Sequence, residues 1–308
     1  MQWARNNRFP WGNGRQASAK AAEYGHLELL KWMRNNGCVW DRSTCEAAAK
    51  GGHLELLKWT RHNGCAWDES TCIAAAKGGH LELLKWAREK GCKWNQGTTS
   101  AAAEGGHLKL LEWVWENGCP LSQLICSYAA KGGHLDVLKW ARLKNCHWDD
   151  GVCRGAAGGG HLHIFRWAKE NGCCDWDAST CAAAARGGHL ETLKWALEHG
   201  CPWDEQTCAG AAYGGHFEVL KWARENGCPW NELTCADAAK GGHLFILEWA
   251  RVNGCSWDER TCAGAAYYGH LDVLKWARAN GCPWDRRTCR FCRHNEVLQW
   301  ARDNGCPG

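Results

Sequence analysis

The sequence predicts an all-α solenoid, in which short helix-turn-helix units stack one on the next. Three observations predict it. His follows Gly at His26, His53, His80, His107, His134, His161, His189, His216, His243 and His270, every 27 or 28 residues, and His294 follows 24 residues later. Cys and Trp keep the same period. Of 22 Cys, 20 fall into two rows, one from Cys38 to Cys306 and one from Cys45 to Cys289; of 23 Trp, 22 fall into rows beginning at Trp3 and Trp11, which leaves Trp115. The third observation is composition: 45% apolar and 23% charged residues build a core, yet no 27-residue unit can bury its own apolar face. The whole chain, 1–308, is therefore expected to be one repeat domain. A half-unit at 1–11 leads about eleven helix pairs over 12–308, the last of them truncated.

Each element of the unit follows from its residues. From Trp257 the unit reads W-D-E-R-T-C-A-G-A-A-Y-Y-G-H-L-D-V-L-K-W-A-R-A-N-G-C-P. Asp258 is placed to cap a first helix, with Glu259 near its positive end. The Ala-rich stretch carries that helix to Tyr267, and Gly269 breaks it. A second helix is expected from about His270 to Asn280, with Gly281 in the left-handed position after it and Pro283 preventing continuation. Asp272, Lys275 and Arg278 form a polar stripe on the second helix, and Leu271, Val273, Leu274, Trp276 and Ala277 cover the rest. A helix this apolar must be packed on two sides. Acid–base pairs three residues apart, such as Glu55/Lys58, Glu82/Lys85 and Glu191/Lys194, read as a solvated face; each stabilises by about 0.2–0.5 kcal/mol.

These units resemble a shortened ankyrin repeat. Gly215-His216-Phe217-Glu218-Val219-Leu220-Lys221 and Gly52-His53-Leu54-Glu55-Leu56-Leu57-Lys58 resemble the start of that family's second helix. Ala211-Ala212 with Gly215 resembles the end of its first helix, and Gly227 its helix-stop glycine. The chain departs from the family in two ways. Thr261-Cys262-Ala263-Gly264 stands where the family has T-P-L-H, and about six residues are missing between helix pairs, so the β-hairpin fingers are expected to be absent. Trp- and Cys-rich repeats of this kind are similar to those of giant DNA viruses and of protists such as oomycetes and brown algae. The resemblance implies protein–protein recognition without catalysis or cofactor.

The residues themselves suggest several chemistries. Cys282 and Cys289, with six residues between them and the same spacing in most units, admit four readings: buried thiols in a reducing compartment, a disulfide across the loop, a zinc or copper site, or a redox centre. Thr99 replaces one Cys while Cys92 remains, whereas Phe9 and Ser18 replace both members of another pair. An obligatory bridge would be lost in pairs, so buried thiols are favoured. The repeated His reads as a local turn or helix-start contact, and the two Trp rows read as core packing rather than a stacking platform for bases, with Trp115 the exposed one. No P-loop, GxSxG, HExxH or dinucleotide fingerprint occurs, so no catalytic residue, cofactor or metal is expected. No stretch of about 18 apolar residues and no apolar N-terminal run are present, which argues against a membrane span and a signal peptide. A net charge of +4 does not call for nucleic acid.

A partner surface is expected where the units vary. The position three before each His carries Lys50, Lys77, Glu104, Lys131, Gly158, Arg186, Tyr213, Lys240 and Tyr267. Lys50, Lys77, Glu104, Lys131, Arg186, Tyr213, Lys240 and Tyr267, with Glu46, Tyr128, Arg154 and Asp237, are the candidate contacts to a protein partner, on the first-helix side of the stack. The expected role is an adapter in the cytoplasm of a host or protist cell. The alternatives are end-to-end self-assembly, since Phe9 and Trp11 leave the first unit weakly capped, and thiol or metal storage.

Overall fold

The computed structural model describes residues 14–148, 150–172 and 176–307. The half-unit expected at 1–11, with Trp3, Phe9 and Trp11, and the thiols Cys173 and Cys174 lie outside them. The described residues form twenty-two helices, most of nine or ten residues, and no strand. They alternate as first and second helices of stacked pairs, without hairpin fingers. They divide into two compact units, Met1–His147 and Trp148–Gly308, each a stack of helix pairs.

The first helices start as their sequences dictate. Asn231 caps the helix Glu232–Gly241, its Oδ1 accepting from the Leu233 N–H at 2.9 Å. Asp41, Asp68, Asn95, Asp177, Asp204, Asp258 and Asp285 cap in the same way, at 2.8–3.0 Å. The unit beginning Pro120-Leu121-Ser122 lacks this residue, and its helix starts later, at Ile125; there Ser122 Oγ accepts from the Leu124 N–H at 3.1 Å. The Ser43, Ser70 and Ser179 hydroxyls also donate to their capping carboxylates, and this bond above all holds Asp41, Asp68 and Asp177 below the usual aspartate range. Each cap contributes about 1 kcal/mol. A carboxylate whose pKa is lower in the folded state stabilises above its unfolded value, near pH 4, and that contribution disappears as pH falls through the folded value. Thermal melts should therefore show Tm steady from neutrality to about pH 5 and falling progressively below about pH 4. Asp68→Asn, which keeps an acceptor without the titration, should flatten part of that fall.

The core lies between the two helix layers. In the unit 231–255, Thr234, Cys235, Ala238 and Ala239 of the first helix and Ile246, Leu247 and Ala250 of the second are buried. The first helices also pack on those of the next unit through these small side chains, as Glu205–Gly214 does on Glu232–Gly241. Cys and Ala at these positions bring the backbones close; leucine there would drive them apart.

The Trp rows are not core, which corrects the sequence expectation. Each loop Trp meets the Trp of the following second helix edge-on or tilted, with ring centroids 5.5–6.3 Å apart, as in Trp40–Trp59, Trp94–Trp113, Trp230–Trp249 and Trp284–Trp300. These rings are half-buried; Trp140 alone among the described Trp is buried, at 8% exposure. The polar stripe also needs correction at one position. Arg278 turns back over the Trp284 ring at 4.1 Å and donates to the Cys282 carbonyl. Arg34, Arg61, Arg88, Arg224 and Arg251 do the same over their own loop Trp, at 4.0–4.5 Å. A cation here both satisfies a carbonyl past the helix end and meets the negative ring face. Only the acid–base part of the stripe is solvated, with Glu55–Lys58, Glu82–Lys85 and Glu191–Lys194 closing at 2.7–2.9 Å.

One unit shows the ladder compensating for a lost member. Leu121 stands where the row has Trp. Trp115, in the second helix just before that loop, takes its place against Trp140 at 6.0 Å, nearly perpendicular, with Lys144 Nζ 4.0 Å from its ring. Trp115 is 36% exposed, as expected of the Trp outside both rows.

Candidate partner-binding surface

The repeated Gly-Gly-His sets the frame of this surface. His53 Nε2 donates to the carbonyl of Glu23 in the preceding unit at 3.1 Å. His80 reaches Lys50, His107 reaches Lys77, His134 reaches Glu104, His243 reaches Tyr213 and His270 reaches Lys240, at 3.0–3.1 Å. This overturns the expectation of a local helix-start contact: the His rings make no cap hydrogen bond to their own helices and tie unit to unit instead. The donor is Nε2–H, so the ring's tautomer is fixed by the carbonyl it faces. The glycines make room for the rings. Gly52, at φ +75, has the His80 ring where its Cβ would lie, and a Cβ on Gly51 would meet the Glu23 carbonyl at 2.2 Å.

The carbonyls that receive these bonds belong to the variable row itself. The frame thus pins the row's backbone at regular intervals and leaves its side chains outward. In the unit Met1–His147, Lys50 pairs with Glu23 at 2.7 Å, and Lys77 and Lys131 flank Glu104 at 2.9 and 3.9 Å. Hydrogen bonds from Lys20 and Lys50 pull the Glu23 carboxyl down to about 2. In the unit Trp148–Gly308, the Arg186 guanidinium lies over the Tyr213 ring at 4.0 Å, and Lys240 pairs with Asp237 at 2.6 Å. Of the remaining candidates, Arg154 pairs with Asp150 at 3.0 Å. Glu23 belongs to the row and is absent from the expected contacts.

Two row members open onto a cavity. Lys240 and Tyr267, with Arg260, Ala263, Gly264, Tyr268, Arg287 and Phe291, line a space of about 330 Å³. Tyr267, Tyr268 and Phe291 are 37%, 46% and 50% exposed. Tyr268, Arg260, Arg287 and Phe291 are not among the expected contacts. For Tyr268 the signal is in the sequence, since Tyr stands there in place of the first glycine of the usual pair; Phe291 directly follows the shortened last first helix, Arg286–Arg290, where the repeat register is lost.

The thiols are also placed differently from the expected loop pairing. Cys282 neighbours Cys262 of its own unit, not Cys289, and Cys45–Cys65, Cys72–Cys92, Cys208–Cys228 and Cys235–Cys255 pair in the same way, as free thiols. The later Cys of each pair donates to the carbonyl of the residue that caps the first helix, as Cys65 does to Asp41 and Cys92 to Asp68 at 3.2 Å. With this pairing, Ser18 hydrogen-bonds to Cys38 at 3.3 Å and Thr99 occupies the position facing Cys119. Each retains a single Cys, which a bridge would not tolerate. Among the described residues no group of three His, Cys, Asp or Glu is disposed to hold a metal. The hydrogen bond shared within a pair, together with burial, keeps one thiol well above the ordinary range, and burial alone pushes Cys119 up to about 11. Thiols held up in this way are poor nucleophiles, whereas their partners, such as Cys45 and Cys92, are held down by the shared hydrogen bond and are kept from reagents by burial. Among the described thiols, labelling of the native protein, mapped residue by residue, should reach Cys292 first and Cys306 more slowly, since burial above all holds that thiol up at about 12. The buried pairs should label only on unfolding; rapid labelling of Cys45 or Cys235 would contradict the packing described.

Residues 180–224 match the family model of ankyrin repeats in many copies. No curated protein matches the sequence. Among solved structures the chain is similar to the human ASB11 ankyrin repeat domain, with 18% identity and a TM-score of 0.42 over 59% of this chain and 98% of that one. The helix pairs define the class, a solenoid of stacked helical repeats, and the match over residues 180–224 makes those repeats ankyrin-like. The chain is an ankyrin-repeat-like protein built from 27-residue, Trp- and Cys-rich units. No helix among the described residues is long and apolar enough to cross a membrane.

Proposed function

We propose that this chain is a protein-interaction scaffold, binding its partner along the first-helix row and working without catalysis in a reducing compartment such as the cytoplasm. Ankyrin repeats are generally protein–protein interaction modules. The observation that carries the reading is the contrast between frame and row. Gly and His are engaged in holding units together and Cys and Trp in holding each unit's own helices and loop, whereas the row side chains point outward and change from unit to unit, ending in an exposed aromatic cluster at Tyr267, Tyr268 and Phe291. The thiols are buried and unbridged, which favours the reducing setting.

Selection from a displayed peptide library tests it, with hydrogen exchange to locate the bound site. Enriched peptides that protect the helices bearing Lys50, Lys77, Glu104, Lys131, Arg186, Tyr213, Lys240 and Tyr267 are expected. Protection confined to the Trp ladder would move the binding face. An absence of any enriched peptide, with growth of the pure chain into long particles by light scattering, would replace the scaffold by a self-assembling protein. Row variants should be neutral ones. Lys50→Glu or Lys77→Glu places a carboxylate beside Glu23 or Glu104 and would perturb the stack as well as the surface.

A further inference from the structure

We infer that the cavity at Tyr267, Tyr268 and Phe291 takes an acidic peptide segment that inserts one aromatic side chain. The inference rests on the reading of the first-helix row as a partner surface, and adds the chemistry of the partner.

The apolar half of the argument is the ring cluster. Tyr267 and Tyr268 meet edge-on at 4.9 Å, and Phe291 completes a wall whose three rings are each more than a third exposed. Elsewhere in this unit the Trp rings are covered by one another and by cations. Gly264 lines the floor without a side chain and lets the Lys240 stem lie against it, since a Cβ there would come within 2.8 Å of Lys240 Cγ. A space of about 330 Å³ accepts a side chain or two and not a folded surface. Three edges and faces offered together suit an aromatic ring better than an aliphatic chain.

The charged half is complementarity. The lining holds Lys240, Arg260 and Arg287 and no carboxylate. Asp237, Asp258, Asp285 and Glu259 hold these cations from outside the cavity, at 2.6–2.8 Å. Each cation is thereby oriented while N–H groups remain for a ligand, because a guanidinium has five and an ammonium three. Arg293 lies 5.3 Å from the Tyr267 ring and Arg290 5.6 Å from Phe291. Residues 286–293 contain four Arg and no acid. A peptide with carboxylates on both sides of its aromatic residue places negative charge on this rim while the ring fills the floor.

The experiment is fluorescence anisotropy with a fluorescein-labelled peptide of sequence Gly-Asp-Glu-Phe-Asp-Glu, on the full chain. Saturable binding that weakens with salt is expected. Replacing the peptide's Phe by Ala should weaken it by about tenfold or more, and replacing its acids by Lys should abolish it. Tyr267→Ala and, separately, Phe291→Ala should each weaken the original peptide by about tenfold, with unchanged circular dichroism and melting. Both positions are exposed, so failure of one variant to fold leaves the other to decide. The inference is overturned if the peptide does not bind, if both folded variants bind it as well as the parent, or if a single-stranded RNA of similar length binds there more tightly. Failure of this peptide while the library yields other peptides on the row removes the partner chemistry and leaves the scaffold standing; failure of both removes the scaffold.

Discussion

Gly241→Ala should destabilise the stack by about 3 kcal/mol or more, far beyond what an alanine in a helix usually does. The added Cβ would sit 2.4 Å from the Tyr213 carbonyl and 2.5 Å from the His243 ring. The carbonyl is backbone of the preceding unit and cannot turn aside, so the two units must separate or the helix must shift. Gly254→Ala is the control. Gly254 has φ +84, and a Cβ added there would find nothing within 4 Å, so its cost is that of the left-handed conformation, about 1–2 kcal/mol. Urea unfolding of the two variants measures the difference. Equal losses would mean that the Gly pairs matter for backbone conformation alone and not for the approach of units.

His243→Ala should cost about 2 kcal/mol, because the half-buried Tyr213 carbonyl loses its donor and the ring's packing against Gly215 is lost with it. The sharper prediction is a coupling. Gly215→Ala alone brings a Cβ within 2.5 Å of the His243 ring and adds a positive φ of 78° for alanine. In the His243→Ala background the ring is gone and only the conformational cost remains. The double variant should therefore be at least about 1 kcal/mol more stable than the sum of the singles predicts. Additive losses would mean that His243 and Gly215 act independently, contrary to the contact described. Hydrogen exchange should show the weakness of either single variant at the junction between the helices 205–214 and 232–241, since repeat arrays loosen locally.

These two residues also show where the sequence is legible. The helix pair itself is visible residue by residue. Asp258 caps, Gly281 stops at φ +82, and the Leu, Val and Ala positions of the second helix are buried as their spacing demands. These are local properties, governed by hydrogen bonds within a few residues and by the period of the apolar face. Even the absence of fingers follows from a simple count of the residues between helices. The variable row is also visible, because it lies at one fixed distance before each His.

What the period cannot convey is which copy a residue touches. His53 and Glu23 are 30 residues apart, and Cys262 and Cys282 are 20 apart, so the nearest repeated partner in sequence is the wrong one. A strict repeat makes all Trp look equivalent, yet whether a ring is buried depends on what its surroundings place over it, as the helix residue Trp115 does over Trp140. The cavity at Tyr268 and Phe291 arises where the repeat is broken, and its cations come from three successive first helices. The sequence by itself determined the unit, its caps and its apolar faces, because those are settled within one turn of chain. Tertiary packing decided the rest: the histidine bonds and the cavity need neighbouring units brought side by side, and the thiol pairs and the half-buried Trp ladder need the two helices and loops of one unit folded together.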